Sequence, residues 1–216
     1  RDLHLSIRRQ RQMCIRDSIS TIDDVEIPSM ILDRKGREIG RMFVENRSKV
    51  SIEEVPEKLI DALIAQEDQR FFEHNGVDQV GVARAVWLNF KARAVTQGAS
   101  TITMQLARNI SFSLEKRFLR KFKEMLLALK IERELSKDEI LELYINLVPF
   151  GKRAYGAEAA ANTYYGKSLH ELNLSQLAML AGIPQRPSAG NPINGPKRAI
   201  RRRNLVLSLM LEQGSI

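Results

Sequence analysis

The sequence predicts a mainly α-helical fold that carries one small N-terminal β hairpin. Beyond Val55, apolar residues recur at helical spacing along almost every segment. Between residues 28 and 45, by contrast, two short runs, Ser29-Met30-Ile31-Leu32 and Glu38-Ile39-Gly40-Arg41-Met42-Phe43-Val44, flank Asp33-Arg34-Lys35-Gly36, a turn that ends in glycine. A length of 216 residues suits one domain, or one domain with a small appendage.

Three regions follow. Residues 1–27 carry Arg1, Arg8, Arg9, Arg11 and Arg16 with little apolar periodicity, and read as a basic arm, disordered or foreign to the domain. Residues 28–55 form the hairpin and a linker. Residues 56–216 form the helical domain. Its first helix runs from Glu57 to Gln66, with Pro56 at the first turn and Leu59, Ile60, Leu63 and Ile64 at helical spacing. In 77–96, Val80, Val82, Ala83, Val86, Trp87, Leu88 and Phe90 are edged by Lys91 and Arg93; this is either a core helix or a surface that dips into lipid. A further helix opens at or near Ser100. The helix 114–135 is expected to turn Leu119, Phe122, Leu126, Leu129 and Ile131 inward. Ser136 and Glu139 form a capping box for the next helix, which Pro149-Phe150-Gly151 stops. Helices over 154–166 and 172–182 follow, and Pro196 starts the last one. Lys197, Arg198, Arg201, Arg202 and Arg203 crowd its first turns, where cations oppose the helix dipole, so another group is expected to use them.

Composition narrows the partners. A hydrophobic fraction of 44% is ordinary for a globular chain, but a net charge of +8 calls for a polyanion: nucleic acid, an anionic membrane surface or a phosphorylated substrate. Cys14 stands alone, which excludes an internal disulfide framework, and His4, His74 and His170 are too scattered for a zinc site. No apolar run reaches the roughly 18 residues a membrane span needs. The chain ends just beyond a helix, which suggests a piece of a longer protein.

The candidate chemistry begins at Glu67 and Asp68, a carboxylate pair at a helix end beside Phe71, Phe72, His74 and Gly76. Apolar neighbours raise a carboxyl pKa and make it a usable base near neutral pH. The plainer reading is a solvated helix end with its aromatics in the core. In 97–109, small residues run into hydroxyls at a helix start, a pattern that caps free N–H groups and favours an anion. Lys116, Arg117, Arg120, Lys121 and Lys123 surround the lone acid Glu124; a solvated basic face is the usual meaning, whereas a diphosphate clamp would need several such fixed cations.

Four motifs, in order, resemble glycosyltransferase family 51, the glycosyltransferase domain of class A penicillin-binding proteins. They are E-D-x-x-F-x-x-H-x-G at Glu67, Asp68, Phe71, His74 and Gly76; G-x-S-T-I-T-x-Q at Gly98, Ser100, Thr101, Ile102, Thr103 and Gln105; R-K-x-x-E at Arg120, Lys121 and Glu124; and K-D-E-I-L-E-L-Y-x-N from Lys137 to Asn146. The similarity covers about residues 28 to 216. Met104 and Ala99 depart from it, standing where many members have glutamine and glycine.

The resemblance implies a lysozyme-like fold of two lobes around a cleft. It implies an enzyme that polymerises lipid II into β-1,4-linked peptidoglycan strands with inversion, releases undecaprenyl diphosphate and is inhibited by moenomycin. Glu67 would be the general base, and Glu124 would orient the cations or a metal ion. Arg108, Lys116, Arg120, Lys121 and Lys123 would stabilise the diphosphate. Asp68 and His74 would hold the Glu67 loop beside the substrate, which Gly98, Ser100, Thr101, Gln105 and Asn109 would help to bind. No cofactor is required, with room for a divalent Mg or Mn ion. The partners implied are lipid II, the growing glycan, the membrane surface and other cell-wall synthesis proteins, at the periplasmic face of a bacterial inner membrane. The family's usual transmembrane anchor and transpeptidase domain are expected to be missing from this chain. Two rivals remain: a lysozyme-like hydrolase, which would not need the Arg120–Glu124 cluster, and a nucleic-acid-binding module, whose basic runs would interleave with aromatics as these do not.

Overall fold

The computed structural model describes residues 29–32, 34–36, 38–42, 46–92, 98, 100–110 and 117–216. The basic arm over 1–27, Arg93, Ala99 and Lys116 therefore lie outside the described residues. By itself, the N-terminal unit holds the expected hairpin. Strands β1 (Ser29–Leu32) and β2 (Glu38–Met42) pair antiparallel with a register shift between Ile31 and Leu32, and Gly36 takes a φ of 76° in the turn. A two-residue strand, β3 (Asn46–Arg47), follows.

Residues Ser48–Ile216 form one compact unit. Segment 48–55, expected in the linker, belongs to this helical body. Val50 exchanges hydrogen bonds with the Asn146 amide (2.9 and 2.8 Å), Ile52 N–H donates to Glu142 Oε2 at 3.0 Å, and Val50 and Val55 are buried in the core.

Among the described residues the unit contains eight α-helices. They are α1 (Glu57–Glu67), α2 (Gln79–Ala92), α3 (Ile102–Ile110), α4 (Arg117–Glu134), α5 (Lys137–Leu147), α6 (Ala157–Tyr165), α7 (Leu174–Ala181) and α8 (Pro196–Glu212). The mainly helical expectation holds. α1 packs on α7 and α8, while α3 packs on α4 and α5. α3 is buried through six consecutive residues, Ile102 to Ala107, so its polar Thr103 and Gln105 lie inside the protein. Tyr144, Phe71 and Phe150 are the largest fully buried side chains. The Ser136 capping box forms as expected, and Asn173 with Gln176 makes another at the start of α7.

Two expectations need correction. First, α4 turns most of the expected stripe outward. Ile131 is buried as expected, but Glu124 and Ala128 accompany it inside, and Leu119, Phe122, Leu126 and Leu129 are exposed. Both stripes have helical period, and periodicity alone does not say which one meets the protein. Ala128 decides it, because Gly76 packs so closely there that a Cβ on the glycine would sit 2.9 Å from the Ala128 carbonyl oxygen. Second, residues beyond Leu147 are not all helical. β4 (Pro149–Gly151) and β5 (Ala154–Tyr155) pair antiparallel around Lys152 and Arg153, both at positive φ, and so delay α6 to Ala157. The helix expected at or near Ser100 is α3, which starts at Ile102 with Thr101 as its cap: Thr101 Oγ1 accepts from Met104 N–H at 3.1 Å.

Candidate active site

The site is built on the end of α1. Asp68, the residue after the helix, is buried, and its carboxylate accepts the N–H of Ile102, the first residue of α3, at 3.0 Å. The same carboxylate takes His74 Nε2 at 2.9 Å. Gly76 N–H donates to His74 Nδ1 at 3.1 Å, so the ring proton that faces Asp68 sits on Nε2. Thr101 Oγ1 donates to the Gly76 carbonyl at 2.6 Å, and Lys137 Nζ reaches the His74 carbonyl at 2.7 Å while lying 4.3 Å over the Phe71 ring. Loop 68–76 is thus stitched to α3 and α5. Asp68 and His74 were expected to hold the Glu67 loop beside the substrate, and Thr101 to help bind it. Their polar atoms are committed internally and buried, so they are struts for the loop.

Glu67 faces a different environment from its neighbour. Its Oε2 accepts from Gln105 Nε2 at 2.8 Å, and its Oε1 is buried without a hydrogen-bond partner among the described residues. Burial raises the Glu67 pKa. The Gln105 hydrogen bond, Arg202 and Arg108 pull it back, and the Asp68 charge adds to the rise. A desolvated carboxyl with one oxygen held and the other unpartnered can take up a proton from a hydroxyl brought against it. The acid/base reading of this stretch is the one the geometry supports. Of the plainer reading, Phe71 is in the core, but Phe72 is exposed, Asp68 is buried and Glu67 is half-buried.

A second cluster forms where α4 meets the start of α3. Glu124 is buried, with Arg120 Nε 3.5 Å from its Oε1 and Lys121 Nζ 3.3 Å from its Oε2. Lys121 also donates to Ser100 Oγ at 2.6 Å. The acid aims the two cations, and their side chains stay 41% and 42% exposed, open to an anion. Gly98 and Lys123 lie exposed near these elements, Arg108 is exposed on α3, and Asn109 is half-buried beside it. Among the described residues no group of three or more His, Cys, Asp and Glu side chains could hold a metal ion.

Arg202 was missed as a site residue. It reaches from α8 toward Glu67, with its Nε and Nη2 buried and without hydrogen-bond partners among the described residues. Gly182 makes room, since a Cβ there would meet Arg202 Cγ at 2.8 Å. With Arg186, Arg198 and Arg201 it lines a pocket of about 440 Å³. The signal was present in the excess of cations at the start of α8; the helix that Arg202 would face was not.

The comparisons with known proteins agree with one another. The family model described as transglycosylase matches residues 35–211. Penicillin-binding protein 1A of Haemophilus influenzae is 47% identical over 190 residues, covering 88% of this chain and 22% of that protein. The Escherichia coli K12 protein of the same name is 46% identical over 200 residues (92% and 24%), and that of Neisseria flavescens 50% over 191 (88% and 24%). The chain thus spans about a quarter of the length of these relatives. The crystal structure of the Haemophilus influenzae protein superposes with a TM-score of 0.50 over 89% of this chain and 19% of that one, at 31% identity in the superposition. With a matching family model over most of its length and the Glu67 and Arg120–Glu124 clusters in place, the chain belongs to the transglycosylase family, glycosyltransferase family 51.

Proposed function

We propose that this chain is the peptidoglycan glycosyltransferase domain of a longer enzyme and polymerises lipid II. The observation that carries the reading is Glu67: a half-buried carboxyl with one oxygen anchored by Gln105 and the other out of solvent without a hydrogen-bond partner among the described residues. The 4-hydroxyl of the acceptor N-acetylglucosamine attacks C1 of the growing chain and passes its proton to Glu67. The C1–O bond to the diphosphate breaks, undecaprenyl diphosphate leaves, and the α-linked donor becomes a β-1,4 glycosidic bond. Arg120 and Lys121, aimed by Glu124, stabilise the charge that develops on the leaving group. A diphosphate needs less protonation than a sugar alcohol, so no general acid is assigned. The reaction so read requires no resident cofactor; a divalent ion would arrive on the substrate's diphosphate, and turnover with and without a chelator measures its contribution.

The substrate is a lipid, so the cleft works at a membrane surface. Val86, Trp87 and Phe90 of α2 are 64%, 66% and 78% exposed, and α4 adds Leu119, Phe122 and Leu126. Such apolar stripes suit a helix that dips into lipid, with Trp at the interface. Among the described residues no helix is long and apolar enough to cross a membrane. We place the domain on the periplasmic face of a bacterial inner membrane.

The test is Glu67→Gln, assayed with labelled lipid II in detergent and read as glycan ladders on a gel. The variant keeps the shape but cannot take the proton, so turnover is expected to fall by the ~100- to 10,000-fold that a general base supplies. Polymerisation at the parent rate would remove Glu67 from the role.

A further inference from the structure

The two oxygens of Glu67 are not equivalent, and the cause lies on two other helices. Gln105 of α3 donates from Nε2 to Glu67 Oε2 at 2.8 Å, and Tyr144 of α5 donates its hydroxyl to Gln105 Oε1 at 3.2 Å. Gln105 is buried and Tyr144 wholly so, while Glu67 is half-buried with its Oε1 out of contact with solvent. We infer that Gln105, oriented by Tyr144, is a positioning residue for the reaction: it holds one oxygen of Glu67 as an acceptor and leaves the other to meet the substrate hydroxyl. The inference rests on the reading of Glu67 as the base. It moves Gln105 out of the set of substrate contacts, where the motif alone had placed it.

The direction of the chain matters. An amide can present either its oxygen or its nitrogen to a neighbour. Burial pushes the Tyr144 phenol well above its usual range, with the Glu67 charge acting the same way, so the phenol keeps its proton, and its hydroxyl donates to Gln105 Oε1. That donation selects Gln105 Oε1 for Tyr144 and turns Nε2 toward Glu67. The reversed amide would set its oxygen against the carboxylate, which is repulsive whenever Glu67 is ionised. A donor aimed at Glu67 favours the ionised form, the form that can accept a proton. Arg202 of α8 and Arg108 of α3 act in the same sense, whereas burial and Asp68 oppose it. Of these, only Gln105 is within hydrogen-bond distance of the carboxylate, so it alone fixes which oxygen stays open.

The inference is tested on the whole chain with lipid II, by measuring kcat and KM across pH together with the melting temperature. Gln105→Met keeps the volume and removes the donor. It is expected to lower kcat roughly ten- to hundredfold, a fraction of what a general base contributes, with KM near the parent value. Losing the hydrogen bond raises the Glu67 pKa further, and the base must be ionised, so the acid limb of the kcat profile is expected to move to higher pH. Tyr144→Phe should shift that limb in the same direction by less. Gln105→Glu places a second carboxyl against Glu67 and should recover activity only as the pH is raised. A raised KM with an unmoved acid limb in Gln105→Met would make Gln105 a substrate contact and overturn the inference. Should Gln105→Met melt below the assay temperature, an unmoved limb in Tyr144→Phe overturns it equally. Failure of the base reading is separate and visible on its own, as full activity in Glu67→Gln.

Discussion

Glu67 sits where its ionised form is poorly solvated, and this has a consequence for stability as well as for catalysis. A carboxyl whose pKa is raised by folding contributes stability below its ordinary value of 4.5 and loses it as pH rises through the folded value. At neutral pH the ionised group therefore weighs against the folded state. Glu67→Gln is expected to raise the melting temperature at neutral pH while abolishing turnover, and the gain should fade as pH falls toward 4.5 and below. Thermal denaturation of both proteins across that range checks the sign; an equal melting temperature at every pH would contradict it. Arg120 and Lys121 carry the opposite test, on binding. Each charge-assisted contact to diphosphate contributes about 1.5–3 kcal/mol. Arg120→Ala and Lys121→Ala should each weaken the binding of moenomycin, taken as a mimic of the growing chain, by roughly tenfold to a hundredfold. Arg120→Lys should restore only part, because the planar fork is lost. Undiminished moenomycin binding in the double alanine variant would place the diphosphate elsewhere.

Among the described residues, the β4–β5 hairpin is the element with non-glycine residues at positive φ. Its two-residue turn puts Lys152 and Arg153 at φ of 53° and 62°, the left-handed region that favours asparagine and glycine. Holding a residue with a Cβ there costs about 1–2 kcal/mol. Replacing the pair with Asn-Gly should stabilise the protein by roughly 1 kcal/mol, a rise of about 2–4 °C in melting temperature for a chain of this size. An unchanged or lower value would show that the side chains of Lys152 and Arg153 compensate the strain. The sequence around this turn offers no such signal, because Pro149 and Gly151 read simply as the end of a helix. The loop after α1 is the contrary case. Asp68, His74 and Gly76 stand in a motif, and the structure uses all three to hold one loop. The family resemblance had already parted Glu67 from Asp68 and His74, but residue type and periodicity alone do not, since Glu67 and Asp68 are adjacent carboxylates that the helix end points in different directions.

At the scale of the molecule, the apolar stripe of α2 is the feature that would tie the domain to its lipid substrate. The stripe was open to two readings, core or membrane surface, and the exposure of Val86, Trp87 and Phe90 removes the first; Leu88 is half-buried, and Ala85 is the buried residue of the helix. Trp87→Ser with Phe90→Ser should leave the melting temperature near its parent value and weaken binding to anionic liposomes. A large drop in melting temperature with unchanged liposome binding would return these residues to a packing role.

The sequence by itself determined the family, the mainly helical class and the hairpin, because motif spacing, helical period and turn residues are local properties of the chain. It also named Glu67, Arg120, Lys121 and Glu124 before any geometry was known. Only the tertiary structure decided which face of α4 turns inward, that Gln105 and Tyr144 form a hydrogen-bonded chain to the Glu67 carboxylate, and that Arg202 comes to it across more than half the chain. Each of these depends on the packing of helices far apart in sequence. A stripe of apolar residues records that a helix has a face to bury, and carries no record of what lies opposite it.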